Sequence, residues 1–344
     1  MDKPKISTLR PSTTLEVLDR AFRVYRDNFG LIIGLVAIAM VPLTALNLFN
    51  SLYVLQRLQG ITAGVVSPRS SSYTNTLLST YTSTFLIAFI SGLAQGLLVN
   101  APLTYIASER YLGRRVTIGQ AYRAVSSRLL NLSVSLILFY VIFGGLLAVA
   151  GVTMLCLVGL GLIGLVIFVG INFYAFLVPV IILERQGPTK SISRAWSLAK
   201  ARFWPLLWVT VAVFATTWAV SVALTSARVM IAGGTLASAS YGASQIATII
   251  LTAVINMFVI PVLPLTYTMM YYDTRIRREG LDIALASVGV DEPRPADVAS
   301  PPPGPFMVQQ DWRSLVIVSV VGLMPLLLFV CLVLAVFGSL PYLR

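Results

Sequence analysis

Three acidic residues close long uncharged stretches of the chain: Glu109, Glu184 and Asp273, each with arginines a few residues away. A carboxylate beside a guanidinium can relay a proton or hold an ion, and groups that do so in a membrane lie inside the spans. These three fall only at the ends. Capping a helix end or pairing with a neighbouring arginine is therefore the expected role of Glu109 and Glu184, ahead of catalysis. Histidine is absent, and Cys156 and Cys331 lie far apart in apolar stretches. That leaves neither a disulfide framework nor a metal-ligand set. We expect no catalytic residue, no metal, no cofactor and no enzyme activity.

The elements that would position these residues are apolar. The chain of 344 residues is 57% hydrophobic and 11% charged, against about 25% charged for a soluble domain. Residues 28–56, 70–108, 129–183, 203–227, 229–272 and 314–343 contain no Asp, Glu, Lys or Arg. A spanning helix needs about 20 apolar residues, and every stretch exceeds that. Spans are expected near 30–56, 82–108, 130–153, 156–183, 203–227, 246–272 and 314–339. The run 129–183 is too long for one helix and should turn near Gly151 or within Gly159-Leu160-Gly161. The charged first 28 residues, and the length of the run from Leu31 to Leu55, argue against a cleavable signal. The fold class is thus all-α, a polytopic transmembrane bundle.

The net charge of +12 does not point to nucleic acid, because its distribution follows the spans. On one side lie 21 of the 25 Lys and Arg residues and all 13 acids. Only Arg57, Arg69, Arg228 and Arg344 lie on the other. Cytoplasmic loops carry the excess of Lys and Arg, so the N-terminus is expected inside and, after seven spans, the C-terminus outside. Trp312 and Tyr342 would flank the last span at interfacial depth.

A pattern recurs within this frame. Leu18, Ala21, Phe22, Tyr25 and Phe29 match Ile118, Ala121, Tyr122, Val125 and Leu129, then Ile192, Ala195, Trp196, Ala199 and Phe203. The spacing puts the bulky residues on one helical face, with Arg20, Arg23, Arg123, Arg194 and Lys200 between them. Each copy reads as a basic amphipathic helix at the membrane interface. Thr13-x-x-Glu16 and Thr117-x-x-Gln120 are capping boxes; Gly187-Pro188 starts the third copy. Pro102, Pro179 and Pro264 lie in the even spans, where each bends the helix and frees a carbonyl that a neighbour must satisfy. Asn47, Asn50, Asn100, Asn172 and Asn256 are expected to hydrogen-bond between helices, and Gly92-x-x-x-Gly96 to allow close packing.

The expected organisation is a tail (1–11) and a six-span core (12–288) of three pseudo-repeated hairpins (12–116, 117–187 and 188–288). A Pro-rich extended linker (289–312) and a seventh span with a short tail (313–344) follow. The basic helices, with Arg275, Arg277 and Arg278, form a positive ring. The candidate contacts to anionic lipid or to a membrane-protein partner are Arg20, Phe22, Arg23, Tyr122, Arg123, Arg194, Trp196, Lys200, Arg275, Arg277 and Arg278. Each basic residue near an anionic leaflet contributes on the order of 1 kcal/mol.

Two motifs carry a family resemblance. They are Leu15-Glu16-Val17-Leu18-Asp19-Arg20-Ala21-Phe22-Arg23-Val24-Tyr25-Arg26-Asp27-Asn28-Phe29-Gly30 and Tyr271-Tyr272-Asp273-Thr274-Arg275-Ile276-Arg277-Arg278-Glu279-Gly280-Leu281-Asp282. Between them, Ala195-Trp196-Ser197-Leu198 leading to Arg202-Phe203-Trp204 fits as well. Over about 12–288 the chain resembles the membrane domain of bacterial glycerophosphoryl diester phosphodiesterases and related six-span families. The resemblance implies a bacterial plasma-membrane location and the membrane architecture. Phosphodiesterase activity is not implied, since the catalytic domain of those proteins uses His, Glu and Asp with a metal. The expected function is a scaffold or accessory subunit, with a transporter or flippase for lipids or other amphiphiles as the alternative.

Overall fold

The computed structural model describes residues 11, 13–62, 71–154, 158–231, 239–288, 293–302, 304–305 and 307–320. Among these residues all regular structure is helical. The order is α1 (Thr14–Asp27), α2 (Phe29–Thr62), α3 (Ser71–Gln95), a π-helical segment (Gly96–Asn100), α4 (Ala101–Tyr111), α5 (Ile118–Ser126) and α6 (Leu129–Met154). Next come α7 (Val158–Tyr174), α8 (Leu177–Leu183), α9 (Pro188–Lys200), α10 (Phe203–Ile231), α11 (Ala239–Val259), α12 (Val262–Glu279) and α13 (Leu281–Ser287). A 3-10 turn at Pro295–Asp297 precedes α14, helical over 309–320. Among the described residues, six segments are long and apolar enough to cross a membrane. The protein is an all-α, multi-pass membrane bundle.

The expected spans shift in instructive ways. The second begins at Ser71, not near 82, because the Ser- and Thr-rich stretch ahead of Phe85 continues the helix. Both proposed sites for the turn after α6 are helical: Gly151 belongs to α6, and Gly159 to Gly161 belong to α7. Residues 155–157, between α6 and α7, lie outside the described residues, as do Tyr342 and the seventh span beyond 320.

Proline explains the irregularities of the even spans. Without an N–H, proline cannot bond the carbonyl four residues earlier, and its ring presses on that carbonyl. For Pro102, Pro179 and Pro264 the orphaned carbonyls belong to Leu98, Ala175 and Ile260. Leu98 lies in the π-helical segment, Ala175 in the break between α7 and α8, and Ile260 in the break between α11 and α12. Each even span is therefore a longer helix followed, after a π segment or a break, by a shorter one.

The three inner helices, α4, α8 and α12, meet at the centre. Leu103, Ile106, Leu177, Val180, Ile181, Met269 and Met270 are buried there. Around them the hairpins close a ring. The α2–α3 hairpin touches α6, the α6–α7 hairpin touches α10, and α11 returns to α2. The short basic helices follow the same circuit: α5 packs on α4, α9 on α8 and α1 on α12. Added Cβ atoms at Gly92 and Gly96 would meet Tyr140 and Leu136 of α6, so both glycines sit where α3 and α6 approach closely.

Candidate functional site

The charged residues converge at the end of the bundle formed by α4, α8, α12 and the short helices. Glu184, at the end of α8, is the hub. Its Oε2 accepts from Arg194 Nε at 3.2 Å, Gln186 Nε2 at 3.0 Å and the Ser300 hydroxyl at 2.6 Å. Its Oε1 accepts from the Tyr271 hydroxyl at 2.9 Å and lies 3.5 Å from Arg275 Nη1. Glu279 holds the same two arginines from the other side, at 2.6 Å from Arg194 and 2.8 Å from Arg275. The Arg275 side chain is 0% exposed and that of Arg194 is 4% exposed. Burial alone would pull the Arg194 guanidinium below its usual pKa; hydrogen bonding to Glu279 and the charges of Glu184 and Glu279 outweigh it, leaving the pKa raised. The group is a neutral square of two carboxylates and two guanidiniums.

Two further acids repeat the arrangement. Glu109, near the end of α4, faces Arg114 at 3.3 Å and Arg294 at 3.2 Å. Asp273 in α12 faces Arg202 at 2.8 Å and Arg277 at 3.1 Å. Glu109 and Glu184 thus pair with arginines, as their sequence setting suggests. Among the described residues no three His, Cys, Asp or Glu side chains come together to hold a metal.

The short helices are fastened by their aromatic residues. Tyr122 donates its hydroxyl to the carbonyl of Leu98 at 2.7 Å, the carbonyl that Pro102 leaves without its helical partner. Tyr25 likewise donates to the Phe258 carbonyl beside the break before α12, at 3.2 Å. Burial raises the pKa of both phenols, so both remain donors at neutral pH. The α1–α12 seam has a shallow depression lined by Ala21, Phe22, Tyr25, Val262 and Leu265.

The candidate interfacial residues divide by burial. Phe22, Arg23, Arg123, Arg277 and Arg278 are exposed, although Arg23 pairs with Asp19 at 2.8 Å. Arg20, half-buried, donates to the Tyr111 hydroxyl at 2.9 Å, and Tyr122 is half-buried. Arg194, Trp196, Lys200 and Arg275 turn away from the surface, contrary to expectation. Trp196 packs edge-on against Phe168 and Phe173; Lys200 reaches Asp311 at 3.3 Å. Arg275 is held inside by carboxylates, which leaves Arg277 and Arg278 as the exposed arginines of its helix end.

The residues that sequence reasoning missed are Glu279, Tyr271 and Ser300. One signal was available: Pro-Leu-Thr-Tyr occurs at 102–105 and again at 264–267. It places Glu109 and Tyr271 at equivalent positions, so the third inner helix offers a phenol to the network where the first offers an acid.

The linker is the larger surprise. It was expected to be an extended spacer, yet residues 293–311 lie across the charged end. Pro293 O accepts from Arg114 Nη2 at 2.9 Å and Pro295 O from Arg275 Nη1 at 3.4 Å. Pro305 O accepts from Lys200 Nζ at 2.5 Å, and the Gly304 N–H donates to Ser197 Oγ at 3.4 Å.

The model of a family described as a domain of unknown function (DUF7847) matches residues 14–273. The chain belongs to this family. The matched segment runs from α1 into α12 and holds Glu109, Glu184, Arg194 and Asp273. Arg275, Glu279 and the linker lie beyond it. No curated protein and no solved structure matches the chain. The resemblance to the phosphodiesterase membrane domain rests on the motifs quoted for it alone.

Proposed function

We propose that the protein is a non-catalytic membrane scaffold or accessory subunit that binds anionic lipid or a partner protein at its basic end. The observation that supports this reading most directly is the state of the charged residues. Glu109, Glu184 and Asp273 each face two arginines, and α4, α8 and α12 pack together around buried side chains. Of the candidate contacts, Arg23, Arg123, Arg277 and Arg278 stay exposed on the helices of this end. In the positive-inside arrangement that end faces the cytoplasm.

The test is extraction into lipid nanodiscs and mass spectrometry of what copurifies. A stoichiometric protein, or enrichment of acidic lipid, that is lost with Arg23→Glu and Arg123→Glu supports the proposal. Turnover of a phosphodiester by the purified protein would overturn it. Orientation is tested separately in a Cys156→Ser, Cys331→Ser background. A cysteine at exposed Ser72 should react with an impermeant thiol reagent on intact cells, and one at exposed Ser126 should not.

A second reading, a transporter or flippase for lipids or other amphiphiles, draws on polar pairs inside the spans. Asn100 donates to the Tyr174 hydroxyl at 2.8 Å, and the Thr210 and Tyr267 hydroxyls lie 2.7 Å apart. Copurification of one amphiphile without a protein, followed by its flux in vesicles, would favour this reading.

A further inference from the structure

Residues 293–305 make contacts of an unusual kind for a linker. Three cationic side chains from separate parts of the bundle each give a hydrogen bond to the carbonyl of a proline: Arg114 to Pro293, Arg275 to Pro295 and Lys200 to Pro305. The segment makes one 3-10 turn, in which the Asp297 N–H donates to the Arg294 carbonyl at 2.9 Å, and its proline carbonyls at 293, 295 and 305 point to the bundle instead. The charged end supplies the matching donors. Side-chain contacts add selectivity: Arg294 Nε lies 3.2 Å from Glu109, and the Ser300 hydroxyl donates to Glu184 at 2.6 Å. Among the described residues of this stretch, Val298 packs against the core and Pro293 and Pro295 are buried. The segment is held as a ligand is held, by its backbone, these apolar side chains and two polar ones.

We infer that the charged end of the bundle is a recognition surface for a proline-rich peptide that carries one 3-10 turn, and that residues 293–305 are its occupant in cis. The surface reads a basic residue between two prolines, as in Pro293-Arg294-Pro295, with a hydroxyl residue six positions after the basic one, as in Ser300. A partner protein carrying that pattern would compete for the same donors. Proline fixes φ and so restricts the free peptide, which reduces the conformational entropy lost on docking and makes such exchange practicable. The inference deepens the scaffold reading by naming a class of partner. Its test uses purified protein and a defined peptide, so it stands or falls apart from the copurification experiment.

The probe is a fluorescent synthetic peptide of residues 291–307. The receptor is the full chain in nanodiscs with residues 293–305 replaced by glycine and serine at equal length. The peptide should bind this chain saturably and bind the intact chain at least tenfold more weakly. A scrambled peptide of the same composition should also bind at least tenfold more weakly. Absence of saturable binding, or equal binding of the scrambled peptide, overturns the inference if the receptor elutes as a single species with native helicity. A second measurement needs no replacement. In the Cys156→Ser, Cys331→Ser background, the intact chain carrying Val298→Cys should be labelled severalfold faster when Lys200 is changed to methionine or excess peptide is added. An unchanged labelling rate in both cases overturns the inference independently.

Discussion

Glu184 shows how a residue that reads as a helix end becomes a structural hub. It accepts from Arg194, a tyrosine, a serine and a glutamine, lies 3.5 Å from Arg275, and its side chain is 1% exposed. Replacing it with glutamine would leave Arg194 and Arg275 to share Glu279 alone. Removing one partner of a buried ion pair costs about 3–5 kcal/mol. Glu184→Gln is therefore expected to lower the thermal unfolding midpoint sharply in a fixed lipid. Arg23→Ala breaks a solvent-exposed pair, for which the usual worth is about 0–1 kcal/mol, and should hardly move it. Equal shifts would refute the hub. Pairing of Glu184 was legible because Arg185 and Arg194 stand close by in the chain. Its two other principal partners, Tyr271 and Arg275, lie in α12, and no local pattern announces contacts so distant in sequence. The register that equates Phe22, Tyr122 and Trp196 was legible too. It fixes a helical face but not what covers it, and Trp196 is buried where Phe22 is exposed.

At the scale of elements, the prolines carried the most information. Each implies an orphaned carbonyl four residues earlier, and the helices break or widen at those places. The physical consequence is testable for Pro102. Leu98 lies on the exposed face of a spanning segment, where lipid supplies no donor, and an unsatisfied polar group away from water costs about 1–3 kcal/mol, so Tyr122→Phe should destabilise the protein by roughly that amount. In a Pro102→Ala background the restored N–H at 102 can bond the Leu98 carbonyl, and the same Tyr122→Phe change should then cost less than half as much. Additive effects in the double-mutant cycle would show that Tyr122 does not serve this carbonyl. Glycines give a second contrast. Alanine is favoured over glycine in a helix by about 1 kcal/mol, and a Cβ at Gly144 meets nothing within 4 Å. A Cβ at Gly164 of α7 would run into the backbone of Ser319 in α14. Gly144→Ala should be neutral or stabilising, whereas Gly164→Ala should destabilise and loosen the packing of α14. Nothing in the linker's composition revealed that α14 is docked in this way, because the close approach depends on a glycine more than 150 residues away.

The whole molecule is a ring, and its closure was the part least visible in the chain. Three similar segments in a row are equally compatible with a line of hairpins. What closes the ring is the return of the last unit to the first: α12 to α1 and α11 to α2. Phe29 stacks on Phe258, and Tyr25 donates to the Phe258 carbonyl. In a ring, the α1–α2 segment is held on both flanks, by α3 on one side and by α11 and α12 on the other. In a line it would be held by α3 alone. Chain continuity between α2 and α3 should then be dispensable. Coexpressed as two pieces, residues 1–66 and 67–344 should copurify as one complex of the intact protein's size. Tyr25→Ala with Phe29→Ala in the short piece should weaken that complex, since both contacts belong to the closing seam. If the pieces separate, or if the paired change at the seam has no effect on their association, the bundle is held together without the closure and the ring description fails. The design has a mechanical consequence. The hub at Glu184 and Glu279 sits where the second and third units meet, and the α1–α12 seam joins the third unit to the first. Opening the ring at α1 would disturb the base of α12, which carries Tyr271 and Arg275 into the network. Loss of the seam is therefore expected to destabilise the charged end as well, read as faster hydrogen exchange at the last turns of α12.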